Sequence, residues 1–332
     1  MNQTQLGKTG LSVSRLGFGG LFVASFATQF ADAQRAVACA VELGINYFDT
    51  APGYGNSEEV LGQALRGMPH PVILSTKLGG RPQPFNPQNK AGLRASVEES
   101  LRLLGREHID LLMIHEPDRP GQYAWWTDMV NVTGPVLELL DELKAEGKIR
   151  FTGLGGTTTT EMAHLCRSGK FDVVLTAFNF SLLYREAALE VFPAARAAGM
   201  GVIVGSPLQQ GALARRYDQE LDSPAAFWIS QARREQFKAL YRLSDECGLS
   251  LPELGIRFVL SHPAVDCVLM GARSVAEVKQ NVAATERGPL PADLLRRLDE
   301  IAARVPYRPF GEPFGLGWHL GNPAGYKGQG AG

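Results

Sequence analysis

The sequence feature that most constrains the fold is a regular alternation of short apolar segments with longer segments of helical periodicity. Several short segments, such as residues 111–114, are apolar at every position, which is typical of strands buried on both faces of a parallel sheet. Strands that alternate with helices form a parallel sheet, either open or closed into a barrel. The predicted strands are residues 14–18, 46–50, 72–77, 109–115, 150–154, 172–177, 201–205 and 266–270.

Helices are predicted between these strands because apolar side chains recur every three or four residues. The clearest apolar stripes lie in residues 93–104, 136–143 and 187–195. Pro135 is suited to a first helical turn, and glycines follow several helices as C-terminal stops. These glycines are Gly44, Gly147, Gly169 and Gly199.

Composition restricts the possible partners and compartment. The 332 residues carry a net charge of -1, which gives no basic surface for nucleic acid or an anionic membrane. No apolar run approaches the ~18 residues of a membrane span, and the polar N-terminus does not resemble a signal peptide. The widely spaced cysteines predict free thiols in a reducing compartment, so we expect a cytoplasmic protein. These cysteines are Cys39, Cys166, Cys247 and Cys267.

Polar residues lie at or beyond the ends of three successive predicted strands. Asp49, Lys77 and His115 are at the strand ends, and Tyr54 is in the loop after Asp49. Each alone has a simple structural interpretation, as a solvated strand end, a buried structural histidine or a tyrosine packed in a turn. Because the carboxyl ends of parallel barrel strands converge on one rim, the four together predict an active site.

These four residue types suit hydride transfer to a carbonyl group. The carbonyl oxygen needs a proton donor, and a phenol with a pKa near ~10 is a weak acid at neutral pH. A nearby ammonium lowers a phenol's pKa, and a carboxylate holds that ammonium charged. A histidine can donate a hydrogen bond to the carbonyl oxygen. The four residue types therefore suit hydride transfer between a hydride-carrying cofactor and a small carbonyl or alcohol.

Over nearly its whole length the sequence resembles the aldo-keto reductase family. The motifs that carry the resemblance are residues 6–11, 14–20, 48–55 with Ser57 and Glu58, 75–77, 109–115 and 206–208. The resemblance implies a (β/α)8 TIM barrel with an N-terminal β-hairpin and a long C-terminal loop. It also implies a single domain over residues 1–332, with residues 305–332 as a substrate-loop tail.

The resemblance assigns roles to individual residues. It makes Tyr54 the general acid and base, with Lys77 and Asp49 tuning it and His115 orienting the substrate carbonyl. The family binds NADPH or NADH across the barrel rim without a Rossmann domain, and this sequence has no GxGxxG between a strand and a helix. The implied cofactor-binding residues are Gly19, Gly20, Asp49, Asn179, Ser206, Leu208, Gly271, Arg273, Ser274, Lys279 and Asn281.

The segment after the last strand bears on the choice of cofactor. Residues 271–274 open a helix, so Arg273 and the first backbone N–H groups could hold an adenosine phosphate. The simpler interpretation is a capped helix with an exposed arginine. Glu277 would repel a 2′-phosphate, so we expect NADP(H) to be only narrowly preferred, with NAD(H) as the alternative.

Two departures from the common family pattern point to one branch of the family. Gly155 and Gly156 stand where many members have Ser-Asn to hold the carboxamide, and Gly205 replaces an aromatic that often stacks on the nicotinamide. These differences resemble the branch of sugar and pyridoxal dehydrogenases. The expected substrate is therefore a small polyhydroxylated or aromatic aldehyde, ketone, alcohol or lactol.

Aromatic segments without periodicity are expected to select the substrate. Trp125 and Trp126 lie in the loop of residues 118–133, and Phe310, Phe314 and Trp318 lie in the tail. Aromatic walls would bury apolar parts of a substrate beside Tyr54 and His115. The alternative is that they pack on the barrel exterior or at a contact within a homo-oligomer. Residues 209–229 form a further irregular segment.

Two other functions remain open at this point. One is a non-catalytic, nucleotide-binding barrel that regulates a membrane partner, as the channel β-subunits of this family do. The other is a metal-dependent hydrolase or isomerase that uses His115 and Glu116. The six histidines form no HxH or HExxH pattern, so we expect no metal site.

Overall fold

Eight parallel strands close into a barrel in the computed structural model, which describes residues 1–68, 71–223 and 229–306. An antiparallel hairpin of β1 (Gln3–Gln5) and β2 (Ser12–Ser14) precedes the barrel. The barrel strands are β3 (Leu16–Gly19), β4 (Tyr47–Asp49), β5 (Ile73–Leu78), β6 (Ile109–His115), β7 (Ile149–Gly156), β8 (Val173–Ala177), β9 (Gly201–Gly205) and β10 (Cys267–Gly271). Neighbouring strands are consecutive in sequence, and β10 pairs with β3 to close the barrel.

Helices follow the barrel strands. They are α1 (Phe30–Glu42), α2 (Ser57–Ala64), α3 (Lys90–Leu104), α4 (Pro135–Ala145), α5 (Thr160–Arg167), α6 (Glu186–Leu189), α7 (Val191–Ala197), α8 (Asp218–Asp222), α9 (Gln231–Cys247), α10 (Leu251–Ser261), α11 (Val275–Glu286) and α12 (Ala292–Ala302). Short 3₁₀ turns lie at Gly7–Thr9, Gly20–Val23 and Gln209–Gly211. The (β/α)8 barrel and the N-terminal hairpin confirm the fold class expected from the sequence.

The hairpin closes one end of the barrel because its apolar side chains join the interior cluster. Leu6, Leu11 and Val13 pack with side chains of the barrel interior such as Tyr47 and Leu111. The approach is close, since a Cβ placed on Gly201 would lie 2.7 Å from the Leu6 side chain. With this end filled, the opposite rim is left for a site, as is usual in such barrels.

The predicted strands agree with the structure except at some ends. Ser14 belongs to the hairpin rather than to the first barrel strand, because residues Ser12–Ser14 pair antiparallel with Gln3–Gln5. Strand β7 extends to Gly156, since Gly155 and Gly156 still pair with Leu175 and Thr176 of β8.

The predicted helices also need two corrections. The stripe of residues 187–195 is split between α6 and α7, because Pro193 has no N–H to donate and its ring would collide with the carbonyl of Leu189. The segment 209–229 is not irregular throughout, since it contains α8. Helix α4 begins at Pro135 as predicted, and Gly147 and Gly199 follow α4 and α7 in the left-handed conformation.

The remaining sequence expectations concern cysteines, membrane spans and the tail. All four cysteines are free thiols, as expected, and three of them are buried. Within the described ranges, every helix is too short or too polar to span a membrane. Phe310, Phe314 and Trp318 of the tail lie outside the described residues.

Candidate active site

The barrel brings the four predicted catalytic residues together at one rim. Asp49 ends β4, Lys77 lies one residue before the end of β5, and His115 ends β6. Tyr54 lies in the turn between β4 and α2, where its N–H donates to the carbonyl of Ala51. The strands supply these residues side by side because β4, β5 and β6 are consecutive neighbours in the barrel.

Lys77 and Asp49 form a buried ion pair within the site. Lys77 Nζ lies 2.6 Å from Asp49 Oδ2 and donates a second hydrogen bond of 2.8 Å to the Thr50 carbonyl. The exposed fractions of the two residues are only 2% and 3%. Burial lowers the pKa of Lys77, but Asp49 and Tyr54 outweigh it, and the pKa is raised overall. Lys77 therefore keeps its positive charge inside the protein.

A hydrogen-bonded chain that the sequence analysis missed holds the other oxygen of Asp49. The Tyr47 hydroxyl donates to Ser75 Oγ over 2.8 Å, and Ser75 Oγ donates to Asp49 Oδ1 over 2.6 Å. The sequence could have indicated this hydrogen-bonded chain, because side chains two residues apart on a strand lie on the same face. Tyr47 precedes Asp49 by two residues, and Ser75 precedes Lys77 by two.

The Tyr54 ring lies between Lys77 and His115. Lys77 Nζ is 5.0 Å from the centre of the ring, and the His115 ring meets it edge-on at a centroid distance of 5.9 Å. Burial raises the pKa of the Tyr54 phenol, and the opposing effect of Lys77 is smaller. Lys77 does act to lower this pKa, as expected, but desolvation of the phenolate dominates and the pKa is raised overall. The phenol keeps its proton at neutral pH.

His115 is a neutral side chain beside the phenol. Burial, and then the charges of Lys77 and Arg119, lower its pKa to about 3. A neutral imidazole carries one N–H and one acceptor nitrogen, so His115 can donate one hydrogen bond to a carbonyl oxygen.

The two tryptophans of the loop after β6 support the site rather than line it. Trp125 is 0% exposed, and its indole N–H donates to the backbone carbonyl of His115 over 3.1 Å. Trp126 is 9% exposed, packs on Phe171 and donates to the carbonyl of Pro117. The expectation that both form substrate walls needs correction, because neither indole presents an open face at the rim in this structure.

Packing requires a glycine at position 156, whereas position 155 has room for a Cβ in ordinary van der Waals contact. A Cβ on Gly156 would lie 2.6 Å from Asp118 Oδ1, and one on Gly155 would lie 3.5 Å from Lys77 Cε. Asn179 is buried at the end of β8, where its Nδ2 donates to the carbonyl of Thr157. Asn179 thus connects the ends of β7 and β8.

Of the other glycines implied in cofactor binding, Gly20 and Gly271 are closely packed at the rim. A Cβ on Gly20 would lie 2.8 Å from the Asp49 carbonyl oxygen, and one on Gly271 would lie 2.3 Å from the Phe22 ring. Gly19 has more room, since its Cβ would approach the neighbouring backbone only to 3.6 Å. These glycines let the loop after β3 approach β4 and β10.

Ser206 and Leu208 follow β9 at the same rim. Ser206 adopts the left-handed conformation, with a φ of 51°, and its carbonyl accepts the N–H of Gln209. Leu208 packs against Gly255 of α10, where a Cβ would come within 2.8 Å of Leu208. Leu208 is therefore partly used in packing the barrel.

The start of α11 is occupied by a pair of its own residues. Ser274 caps the helix and accepts the N–H of Glu277 over 3.3 Å. Glu277 accepts hydrogen bonds from the backbone N–H of Arg273 over 2.7 Å and from its guanidinium over 3.1 Å. Further along the helix, Lys279 is exposed, whereas Asn281 is 8% exposed and faces a small cavity beside Leu16.

Comparison with known proteins agrees with this geometry. The profile of the Aldo/keto reductase family matches residues 15–303. The chain belongs to this family. It is therefore an NAD(P)-dependent oxidoreductase that acts on carbonyl or alcohol substrates.

Individual relatives are similar over most of their length. The chain is 32% identical to L-galactose dehydrogenase of Arabidopsis thaliana over 289 residues, which cover 84% of this chain and 86% of the relative. It is 29% identical to the NADH-specific methylglyoxal reductase of Escherichia coli, covering 92% of this chain and 100% of the relative. An aldo-keto reductase from Bacillus halodurans, solved in its holo form, superposes with a TM-score of 0.75 at 30% identity, covering 94% of this chain and 100% of that chain.

Proposed function

We propose that this aldo-keto reductase reduces small aldehydes or ketones, and oxidises the corresponding alcohols or lactols, with Tyr54 as its general acid and base. The observation that carries the proposal is the buried Lys77–Asp49 ion pair, with the Tyr54 ring 5.0 Å from Lys77 Nζ. A buried ion pair is not needed to hold a barrel together, and its desolvation is unfavourable. Because the ion pair lies beside the Tyr54 phenol, it can control the transfer of the phenolic proton.

Each residue has a distinct part in reduction. A bound reduced nicotinamide supplies the hydride that adds to the carbonyl carbon. Tyr54 donates its phenolic proton to the oxygen, while His115 donates a hydrogen bond that holds this oxygen and disperses its charge. The Lys77 charge stabilises the phenolate left behind, and Asp49 keeps Lys77 charged and in place. In oxidation the same phenolate takes the proton back.

The rim offers suitable groups for a dinucleotide. An anionic diphosphate needs N–H donors, and helix N-termini provide them together with a favourable dipole. The start of α11 already holds a carboxylate, that of Glu277, on the N–H of Arg273. The segment therefore fits an anion, and it lies next to β10 at the rim.

We also propose that NAD(H) is preferred over NADP(H), which reverses the narrow preference expected from the sequence. Arg273 is paired with Glu277, so a 2′-phosphate would have to displace a carboxylate that then repels it. The ion pair is exposed and weak in itself, but the second charge of the phosphate would remain close to Glu277. The similar protein of Escherichia coli is named an NADH-specific methylglyoxal reductase, which supports the proposed preference for NAD(H).

The direct test of the proposed reaction is Tyr54→Phe, assayed with a reactive aldehyde and each reduced cofactor. We expect the rate to fall by ~10²–10⁴-fold, as is typical for the loss of a general acid, while cofactor affinity changes little. Tyr241→Phe is the matched control, because this buried tyrosine lies on α9 and its hydroxyl accepts the backbone N–H of Tyr217.

The outcomes separate catalysis from a regulatory role. Activity of Tyr54→Phe within a few-fold of wild type would show that another group supplies the proton. A wild-type protein that binds the cofactor but turns over no aldehyde or alcohol would instead support the non-catalytic alternative.

A further inference from the structure

Glu116 occupies an unusual place directly after His115. Its backbone has a φ of 52°, a conformation that favours glycine, and its N–H donates to the carbonyl of Gly155 over 2.7 Å. Only 3% of the residue is exposed. A carboxylate is thus held at the rim end of β6, in a backbone conformation that an ordinary strand end does not need. Such outliers are concentrated at functional sites.

One oxygen of the Glu116 carboxylate lacks a hydrogen-bond donor in the part of the chain that the structure describes. Its Oε1 atom has no hydrogen-bond partner among the described residues, and the nearest cationic group, Arg119 Nη1, is 3.7 Å away. The hydrogen bonds of the Arg119 guanidinium go to other acceptors, Thr157 Oγ1 and Gln122 Oε1. A buried acceptor left without a donor is unfavourable, so a donor from a ligand or from water would stabilise it.

The neighbouring acid shows the contrast. Asp118 Oδ2 accepts the backbone N–H groups of Thr157 and Thr158, over 2.8 and 2.5 Å, and so joins the loop after β6 to the loop after β7. Asp118 Oδ1 and Glu116 Oε1 both lack a hydrogen-bond partner among the described residues, so the difference lies in the second oxygen of Asp118. The hydrogen bonds to Oδ2 give Asp118 a structural role, whereas the structure shows no such hydrogen bond to the Glu116 carboxylate from the described residues.

Glu116 is close enough to the reacting groups to influence them. Burial is the main reason that the pKa values of Tyr54 and Tyr123 are raised, and the Glu116 charge adds to both, so its field reaches the proposed proton donor. It also follows His115 directly in the chain. A group on the carbon next to a carbonyl bound by Tyr54 and His115 would lie near the end of β6.

We propose that Glu116 accepts a hydrogen bond from a hydroxyl group adjacent to the reacting carbon, so that the preferred substrates are hydroxyaldehydes or the matching polyols and lactols rather than unsubstituted aldehydes. An ionised carboxylate is an acceptor only, so it selects for a donor at this position. This inference rests on the proposed function, since Tyr54 and His115 must first bind the carbonyl.

The ionisation of Glu116 gives the inference a second consequence. Burial raises its pKa to about 7, while Arg119 acts to lower it and Asp118 to raise it. Tyr54 and Tyr123 are the other titratable groups in its field, and both have raised pKa values. Glu116 therefore becomes the charged acceptor as the pH rises through about 7, and the preference for hydroxylated substrates strengthens in the same direction.

The test compares 2-hydroxypropanal with propanal, which differ by one hydroxyl group, using purified full-length protein and aldehyde concentrations corrected for hydration. For each protein the ratio of the two kcat/KM values is measured at several pH values from 6 to 8.5. The variants are Glu116→Gln and, as a matched control, Glu138→Gln, whose side chain is 71% exposed on α4. We expect Glu116→Gln to lower the ratio by roughly tenfold at pH 8, because it removes a charged acceptor.

The possible results support or overturn the inference about Glu116 as follows. A ratio that rises with pH in wild type and in Glu138→Gln, but is low and flat in Glu116→Gln, supports the inference. A ratio unchanged within threefold in Glu116→Gln overturns it, even if both substrates become slower. If Glu116→Gln does not fold, a flat wild-type ratio across pH 7 overturns the inference and a rising one supports it. If wild type reduces neither aldehyde, the proposed function itself fails, and the inference fails with it.

Discussion

Glu277 holds Arg273 by two hydrogen bonds, one to its backbone N–H at 2.7 Å and one to its guanidinium at 3.1 Å. The carboxylate therefore accepts the N–H of Arg273 at the start of α11, where we propose that a phosphate of the cofactor binds. The proposed preference for NAD(H) over NADP(H) depends on the negative charge of Glu277.

Glu277→Gln should shift the cofactor preference toward NADPH. We expect the ratio of kcat/KM for NADPH to that for NADH to rise by roughly tenfold, because Arg273 is released and the repulsion of a 2′-phosphate is removed. Glu300→Gln is the control, since Glu300 forms an equivalent exposed pair with Arg296 on α12. An unchanged ratio, or equal gains for both cofactors, would show that Glu277 does not face the 2′ position.

The buried Lys77–Asp49 pair predicts that removing one partner is worse for stability than removing both. Lys77→Met and Asp49→Asn should each destabilise by about 3–5 kcal/mol, because each leaves a buried group unpaired. The double variant should recover much of the free energy of unfolding but none of the activity. Urea unfolding and steady-state rates measure the two effects. A double variant as unstable as the sum of the single variants would contradict this explanation.

His115 should not contribute a pH dependence near neutrality. Its pKa is lowered to about 3 by burial and by Lys77, so the ring is neutral from pH 5 to 8. In Glu116→Gln, which removes the carboxylate with a pKa of about 7, we expect kcat/KM for propanal to be nearly constant over this range. Adding His115→Asn to this variant should slow it by ~10²-fold, since an oriented donor is lost, but leave it equally flat. A limb in Glu116→Gln with an apparent pKa of 6–7 that His115→Asn abolishes would show that the imidazole titrates in this range.

Glu116 should make the protein less stable as the pH rises. Its pKa is raised by burial from 4.5 to about 7 in the folded state, so the folded protein binds more protons between these values. Stability therefore falls as the pH rises through this window and then levels off. Glu116→Gln should raise the free energy of unfolding at pH 8 by up to about 3 kcal/mol, and much less at pH 5. The Tm should rise accordingly at pH 8. A Tm shift of the same size at both pH values would show that the carboxylate is not destabilised by burial.

The sequence alone determined the fold class and the proposed catalytic set. Continuous apolar runs predicted strands buried on both faces, and helical stripes between them predicted a parallel α/β fold. Asp49, Lys77 and His115 could be placed at one rim because parallel strands end at the same edge of a barrel. The predictions of the fold and of the common rim are confirmed, because periodicity and strand direction are local properties of the chain.

The tertiary structure decided what depends on distance and burial. The sequence could not show that Glu277 binds Arg273, that Trp125 lies beneath His115, or that Tyr47 and Ser75 complete the environment of Asp49. It indicated correctly that Lys77 acts to lower the pKa of Tyr54, but not that desolvation of the phenol outweighs this effect. Electrostatic energies depend on separation and on exclusion of water, and both are set only when distant segments pack.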